Sequence, residues 1–189
     1  MAENRNNKAG LYVISGPSGV GKSTITREVI RRCEDVYLSV SATTRPKSEQ
    51  EVHGRDYWFI SREEFEHGIE QGRFLEWAEV YGNLYGTPRD KVEQRLEHGG
   101  NVLLEIDVQG GRQIKQARPD AVLIFIMPPS PEQLAERMYK RGRDEKEVAS
   151  VRLGGAEKEI EQAKGWYDKW VVNDDLEKAI NEVIDIVHS

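Results

Sequence analysis

The feature that most restricts how this chain can fold is the stretch 11–24, LYVISGPSGVGKST. A short apolar run opens it, Gly16, Pro17, Ser18, Gly19, Val20 and Gly21 turn the chain, and Lys22, Ser23 and Thr24 begin a helical pattern. The spacing Gly16-x4-Gly21-Lys22-Ser23 fits a P-loop, with the strand before it and the helix after it that this pattern requires. Its glycines let a phosphate chain rest against backbone N–H groups, and the helix start adds unsatisfied donors and a positive dipole. Lys22 adds a mobile full charge, and Ser23 is the hydroxyl expected on a magnesium ion. The stretch predicts a bound nucleoside triphosphate, and the rest of the chain must specify what receives the phosphate.

At 189 residues the chain is long enough for one well-cored α/β domain with inserted lobes, and short for two independent domains. No apolar run approaches the ~20 residues that span a bilayer, so no membrane partner is expected. Residues 1–8 are polar and lack the apolar core of a signal peptide, which predicts a cytoplasmic location. Cys33 is the only cysteine, which excludes an internal disulfide and a cysteine-based metal cage. The net charge is −6, an odd sum for a protein that handles anionic nucleotides, but placement matters more than the total. Segment 131–152 sums to +1 and segment 155–189 to −5, so the acidic excess sits in the tail. Nothing resembles the broad basic face of a nucleic-acid binder, and no nucleic-acid partner is expected. Nothing in the sequence specifies an oligomeric state.

Along the chain, Ile25, Val29 and Ile30 recur at helical spacing behind the loop, and this helix ends near 33–35. Residues 37–41 alternate as a short strand, a polar stretch follows over 42–56, and 57–60 reads as strand again. Ser61 and Glu64 form a capping box for a helix to about 71. Strand character returns over 74–81, and Tyr81-Gly82-Asn83-Leu84 reads as a tight turn into Tyr85. This density of strands, aromatics and turns departs from the regular pattern on either side and predicts an inserted lobe over 39–87. From 88 the doubly wound pattern resumes, with a helix over 91–97, the apolar run Val102-Leu103-Leu104, and a helix over about 110–117. AVLIFIM at 121–127 reads as a strand covered on both faces. Ser130 and Pro131 suit the N-cap and first position of a helix, and Asp144 and Glu147 can cap another through about 164. A strand at 170–172 and an amphipathic helix over 176–187 close the chain. The predicted class is α/β: a three-layer α/β/α P-loop core with a parallel sheet (10–38, 88–129 and 156–189), an inserted mixed β lobe (39–87) and a helical lid (130–155).

In an open parallel sheet, ligands sit beyond the carboxyl ends of the strands. The P-loop is at one such end, and Glu105 and Asp107 are at another. Carboxylates there can hold hydrated magnesium or accept from a substrate base, or can simply end a strand in solvent. Arg137 and Arg141 lie four residues apart on one helical face, with Arg143 just beyond and Arg152 on the next helix. Taken alone they read as a charged surface helix; beside a P-loop they suit a mobile flap that surrounds a transferring phosphoryl with cations.

Ser41-Ala42-Thr43-Thr44-Arg45-Pro46 followed by Glu51-Val52-His53-Gly54-Arg55-Asp56-Tyr57 strongly resembles the signature of the guanylate kinases. Phe74-Leu75-Glu76-Trp77, the run from Tyr81 through Thr87, Glu105-Ile106-Asp107-Val108-Gln109-Gly110 and Asn173-Asp174-Asp175 extend the resemblance, in family order, over roughly 10–187. It implies transfer of the γ-phosphoryl of ATP to GMP or dGMP, with magnesium as cofactor held near Ser23 and Glu105. By position, Arg45, Tyr57 and Tyr85 would hold the GMP phosphate with Ser41 nearby, and Glu76, Thr87 and Asp107 would read guanine. Lys22, Arg45, Arg137, Arg141 and Arg152 would be catalytic, and Asn173 would contact adenine beside the loop from Gly16 to Thr24. The base chemistry agrees: guanine presents adjacent N–H donors on its Watson–Crick edge, which a carboxylate accepts in pairs, whereas adenine presents an acceptor there. Glu76 would disfavour AMP by ~2–4 kcal/mol.

Three positions depart from the family pattern. The second phosphate-binding arginine, three residues after Arg45, is Ser48; Lys47 beside it carries charge but no planar fork. Glu105 stands where Asp can occur, which changes reach and not charge. Gly154-Gly155 follows Arg152 where a helix former is expected, at a cost of about 1 kcal/mol per glycine; it marks either a hinge at the base of the lid or a weak helix. Two rival readings accompany the resemblance: a P-loop kinase for another monophosphate or small metabolite, and a non-catalytic scaffold module.

Overall fold

The computed structural model describes residues 9–140 and 146–189, apart from the side chains of 138–140 and 146–153. The expected caps Asp144 and Glu147, and the arginines at 141, 143 and 152, lie outside the described residues or side chains. A five-stranded, all-parallel sheet forms the core, ordered β2-β7-β1-β8-β9, from β1 (Leu11–Ser15), β2 (Val36–Leu38), β7 (Asn101–Glu105), β8 (Val122–Met127) and β9 (Lys169–Val172). β1 is central, paired with β7 on one side and β8 on the other. β1, β7 and β8, buried on both faces, are nearly continuous apolar runs without polar alternation.

Each sheet face has its own helical layer. On one, Ile14, Leu103, Ile124 and Ile126 pack with α1 (Lys22–Arg32), α5 (Pro131–Lys140) and α7 (Leu176–Val187) through Ile25, Val29, Leu134, Ile180 and Val183. On the other, Val13, Val102, Leu104 and Phe125 pack with α3 (Arg89–Glu97), α4 (Val108–Ala117) and α6 (Lys146–Ala163) through Val92, Ile114 and Ala163. The expected caps form where described: Ser61 accepts from the Glu64 N–H at 3.1 Å, and Ser130 accepts from the Gln133 N–H at 3.3 Å. Gly154 and Gly155 lie inside α6, and a Cβ on either would meet nothing within 4 Å among the described residues. Among the described residues, therefore, no packing contact calls for glycine there.

A second, mixed sheet of order β4-β3-β6-β5 stands apart, made of β3 (Ala42–Thr43), β4 (Trp58–Phe59), β5 (Phe74–Val80) and β6 (Asn83–Pro88). Its small core is Ala42, Leu84 and Phe65, the last from α2 (Arg62–Glu70) and stacked on Phe74 at 4.3 Å. Tyr81 (φ 49°) and Gly82 (φ 77°) make the two-residue hairpin turn between β5 and β6, one residue pair shorter than the sequence suggests.

Two strand expectations need correction. The alternation over 37–41 is not one strand: β2 ends at Leu38 in the core sheet, and β3 begins at Ala42 in the other. Period-2 alternation satisfies either sheet, so it cannot reveal the crossing between them. The strand at 57–60 shortens to Trp58–Phe59, which pairs parallel to β3 over two residues only. A third detail bears on the site. The β5–β6 register shifts between Phe74 and Trp77, and consecutive residues Leu75 and Glu76 are both buried. This bulge sends Leu75 into the core cluster and leaves Glu76 facing inward as well. Among the described residues no helix is long and apolar enough to cross a membrane.

Candidate active site

The P-loop occupies the space beyond the carboxyl end of β1. Gly21 is the N-cap of α1 with φ 107°, no side chain caps this helix, and its first turn holds no acid. The helix start is thus left with backbone donors that no side chain caps, the condition an anion needs. Lys22 Nζ folds back on the loop and donates to the carbonyls of Gly16 and, at 3.1 Å, Pro17. Ser18 and Thr24 are exposed, while Gly16, Pro17 and Val20 are buried beneath the loop. Ser23 Oγ donates to Glu105 Oε1 at 2.5 Å. Two hard oxygen donors from α1 and β7 thereby meet, a donor set suited to hydrated magnesium.

The back of the loop is held at one atom. Val20 O accepts from Asn173 Nδ2 at 2.8 Å and from Arg137 Nη1 at 3.4 Å, and Arg137 Nη2 donates to Asn173 O at 2.9 Å. Asn173 is buried, and a Cβ on Gly21 would come within 2.6 Å of its amide nitrogen. The structure therefore places Asn173 and Arg137 as buttresses of the donor loop.

In the loop between β3 and β4, Arg45 forms a two-pronged ion pair with Glu51, at 2.6 and 3.0 Å. Its guanidinium carbon lies 5.4 Å from the Tyr57 ring centre and 5.6 Å from that of Phe59, and Tyr57 meets Tyr85 edge-on at 6.0 Å. Glu51 also accepts from the N–H (2.9 Å) and hydroxyl (2.8 Å) of Ser48, while Lys47 Nζ donates to the Glu51 carbonyl at 3.0 Å. The Arg45 hydrogen bond, followed by those from Ser48, pulls the Glu51 carboxyl down to about 2. Burial, then the charge of Glu105, pushes the Tyr57 phenol up, so the aromatic wall of one half lies within electrostatic reach of the acid of the other. Ser41 is partly buried and its carbonyl accepts from the Trp58 N–H at 2.9 Å.

On β5, Glu76 is 5% exposed and accepts from the Thr87 hydroxyl at 2.7 Å. Its Oε2 lies over Gly110, where a Cβ would overlap it. Asp107 N-caps α4, with Oδ1 accepting from the Gly110 N–H at 2.8 Å. Burial raises the Glu76 carboxyl to about 7, the Thr87 hydrogen bond works against this, and the Asp107 charge adds to it. Gln113 of α4 clasps the β5 edge, donating to Trp77 O at 2.8 Å and accepting from Trp77 N–H at 3.3 Å. This amide docks the second sheet against the core at the level of Glu76.

The expected residues thus fall into a loop group (Lys22, Ser23, Glu105, Arg137, Asn173), an arginine–tyrosine group (Arg45, Tyr57, Tyr85) and a carboxylate group (Glu76, Thr87, Asp107). Sequence reasoning did not assign Glu51, Gln113, Ser15 or Tyr167. Glu51 stands inside the quoted signature and was open to detection there; the other three carry no local signal.

The family model described as guanylate kinase matches residues 8–189. The chain is 47% identical over 182 residues to a guanylate kinase of Syntrophomonas wolfei subsp. wolfei, covering 96% of this chain and 93% of that protein. It is 50% identical over 177 residues to a guanylate kinase of Rubrobacter xylanophilus, covering 94% and 92%. The crystal structure of guanylate kinase from Anaplasma phagocytophilum superposes with a TM-score of 0.79 at 36% identity, covering 95% of this chain and 84% of that one. A gluconokinase structure from Sinorhizobium meliloti 1021 shares the fold alone, at TM-score 0.50 and 16% identity, covering 95% and 92%. A match over nearly the full length, in sequence and in backbone, places this chain in the guanylate kinase family.

Proposed function

We propose that the protein transfers the γ-phosphoryl group of ATP to GMP or dGMP, giving ADP and GDP or dGDP, as part of purine nucleotide metabolism in the cytoplasm. The observation that carries the choice of base is Glu76, a buried carboxylate held by the Thr87 hydroxyl and set against the α4 turn that Asp107 caps. Guanine's adjacent N–H donors suit an acceptor pair, and adenine leaves the same carboxylate buried and unmatched.

The division of labour follows the three groups. Residues 16–24 cradle the ATP phosphates, and Lys22 leaves the Gly16 and Pro17 carbonyls for them. Arg45, Tyr57 and Tyr85, with Ser41, hold the GMP phosphate, and Arg45 moves part of its hydrogen bonding from Glu51 to that phosphate. Glu76, Thr87 and Asp107 read the base. Ser23 and Glu105 would hold magnesium, which when bound neutralises charge on the donor phosphates. Asn173 fixes the loop from behind and borders the adenine, while Arg137 leaves Val20 O to join Arg141 and Arg152 around the transferring group when the 130–155 lid closes on the core and the 39–87 lobe. A phosphate oxygen of GMP attacks the γ-phosphorus, and the bond to the β–γ bridging oxygen breaks with its electron pair leaving on ADP. That attacking oxygen is already ionised near neutral pH, so positioning and charge neutralisation supply the catalysis without a general base.

ADP production measured with GMP, dGMP, AMP, CMP, UMP and dTMP as acceptors tests the assignment. GMP and dGMP should exceed the others by at least tenfold in kcat/KM, and a preference for any base other than guanine would overturn it.

A further inference from the structure

Tyr167 lies just past α6, beyond a turn at Gly165 with φ 82°. Its ring is 8% exposed and meets Phe125 edge-on at 5.3 Å, which accounts for an aromatic residue but not for a hydroxyl. A buried phenol oxygen needs a partner, and phenylalanine would fill the same space without that need. The partner is Ser15, fully buried at the end of β1 and adjacent to Gly16: Tyr167 Oη donates to Ser15 Oγ at 2.6 Å. Ser15 Oγ in turn donates to Asp107 O at 3.3 Å, and the same carbonyl accepts from the Gly111 N–H at 3.0 Å.

This chain of hydrogen bonds has a direction. While the phenol keeps its proton and gives it to Ser15, the serine proton remains for Asp107. Burial, outweighing the Ser15 hydrogen bond, and then the charges of Asp107, Glu159 and Glu76 push the phenol's titration up, which keeps it a donor at every working pH. The consecutive glycines of the first α4 turn explain why the chain ends there. A Cβ on Gly110 would overlap Glu76 Oε2, and one on Gly111 would overlap Tyr167 Oη. One turn thus admits the carboxylate on one side and the phenol on the other.

We propose that Tyr167, acting through Ser15, is a positioning residue for acceptor choice: it fixes the helix turn that presents Asp107 and backs Glu76 against the strand leading into the P-loop. This rests on reading Glu76 and Asp107 as the guanine-recognising acids. On this reading Tyr167 acts through Ser15 and the α4 turn, and sets where the acids stand.

Tyr167→Phe removes the hydroxyl and keeps the ring. Steady-state kinetics with GMP, IMP and ATP should show KM for GMP raised about five- to tenfold, KM for ATP within twofold, and the GMP-over-IMP ratio of kcat/KM reduced several-fold. IMP lacks the 2-amino group and so depends less on the placement of the acids. Ser15→Ala breaks the same chain from the strand side, should give the same acceptor-selective pattern, and carries the test if Tyr167→Phe does not fold. A lower melting temperature with unchanged KM for GMP and unchanged GMP-over-IMP preference would mean a packing role only and overturns the proposal. Glu76→Gln, run in parallel, separates the two claims. If it too leaves KM for GMP unchanged, the recognition reading fails; if it raises that KM and Tyr167→Phe does not, the inference about Tyr167 alone is wrong.

Discussion

Glu76→Gln removes one charge from the base-reading corner and changes almost no volume. On the proposed reading, an ionised Glu76 accepts two N–H groups from guanine. Glutamine keeps one acceptor and sets its own NH2 against the second donor. Losing a charge-assisted hydrogen bond and opposing two donors costs about 3 kcal/mol, or roughly a 150-fold rise in KM for GMP. Burial sets the pH at which this difference shows. With the Glu76 carboxyl at about 7, the wild-type protein must expel a proton to bind GMP below neutrality. KM for GMP should then rise about tenfold per pH unit below pH 7. The GMP phosphate titrates near pH ~6 in both proteins, so the variant-to-wild-type ratio of KM isolates Glu76. That ratio should be large at pH 8 and shrink toward a few-fold near pH 5.

The same group leaves a stability signature of known sign. Its folded value of about 7 lies above the ordinary 4.5, so its stabilising contribution is complete below pH 4.5 and lost as pH rises through 7. The loss is about 3 kcal/mol at 1.4 kcal/mol per unit. Urea denaturation at pH 5 and pH 8 should show the wild type losing stability across that interval relative to Glu76→Gln. Direct quantification of ADP at varied GMP supplies the kinetic half. A KM ratio constant over pH 5.5–8.5, or no relative loss of wild-type stability, refutes the reasoning.

Three further outcomes are expected. Lys22→Ala should abolish turnover while calorimetric GMP binding stays within about twofold; persistent turnover would remove Lys22 from its assigned role. Ser48→Arg keeps the backbone N–H on Glu51, loses the hydroxyl contact and adds a second guanidinium beside Arg45. KM for GMP should fall about fivefold, and an unchanged value would show that the phosphate clamp is complete by another route. Gly21→Ala forces a side chain to φ 107° and within 2.6 Å of the Asn173 amide; KM for ATP should rise more than tenfold with GMP binding preserved, and an ordinary KM for ATP would contradict the buttress geometry.

The donor side of the site was legible because its chemistry is local. A strand, a glycine loop and an uncapped helix start need only contiguous residues to become an anion site, and Ser23 follows from the same register. Helix caps at Ser61 and Ser130 were legible for the same reason, since each partner amide is three residues away. The short strands of the second sheet were not. Two-residue β3 and β4 take their definition from partners that the local alternation does not name. Glu51 shows the intermediate case: the signature includes it, but its hold on Arg45 and Ser48 appears only when the 45–51 loop closes on itself.

By itself the sequence determined that a nucleoside triphosphate is expected at residues 16–24, that the core is a parallel α/β sheet, and which side chains resemble a guanine-nucleotide site. Only the tertiary structure decided how those side chains stand. It placed Asn173 and Arg137 behind the loop on Val20 O, turned Glu76 inward at a strand bulge, and brought Thr87 and Gly110 to meet it. The reason is physical. Phosphate binding uses backbone donors that any correctly spaced loop presents, whereas the burial that shifts a carboxylate depends on elements far apart in the chain packing around it.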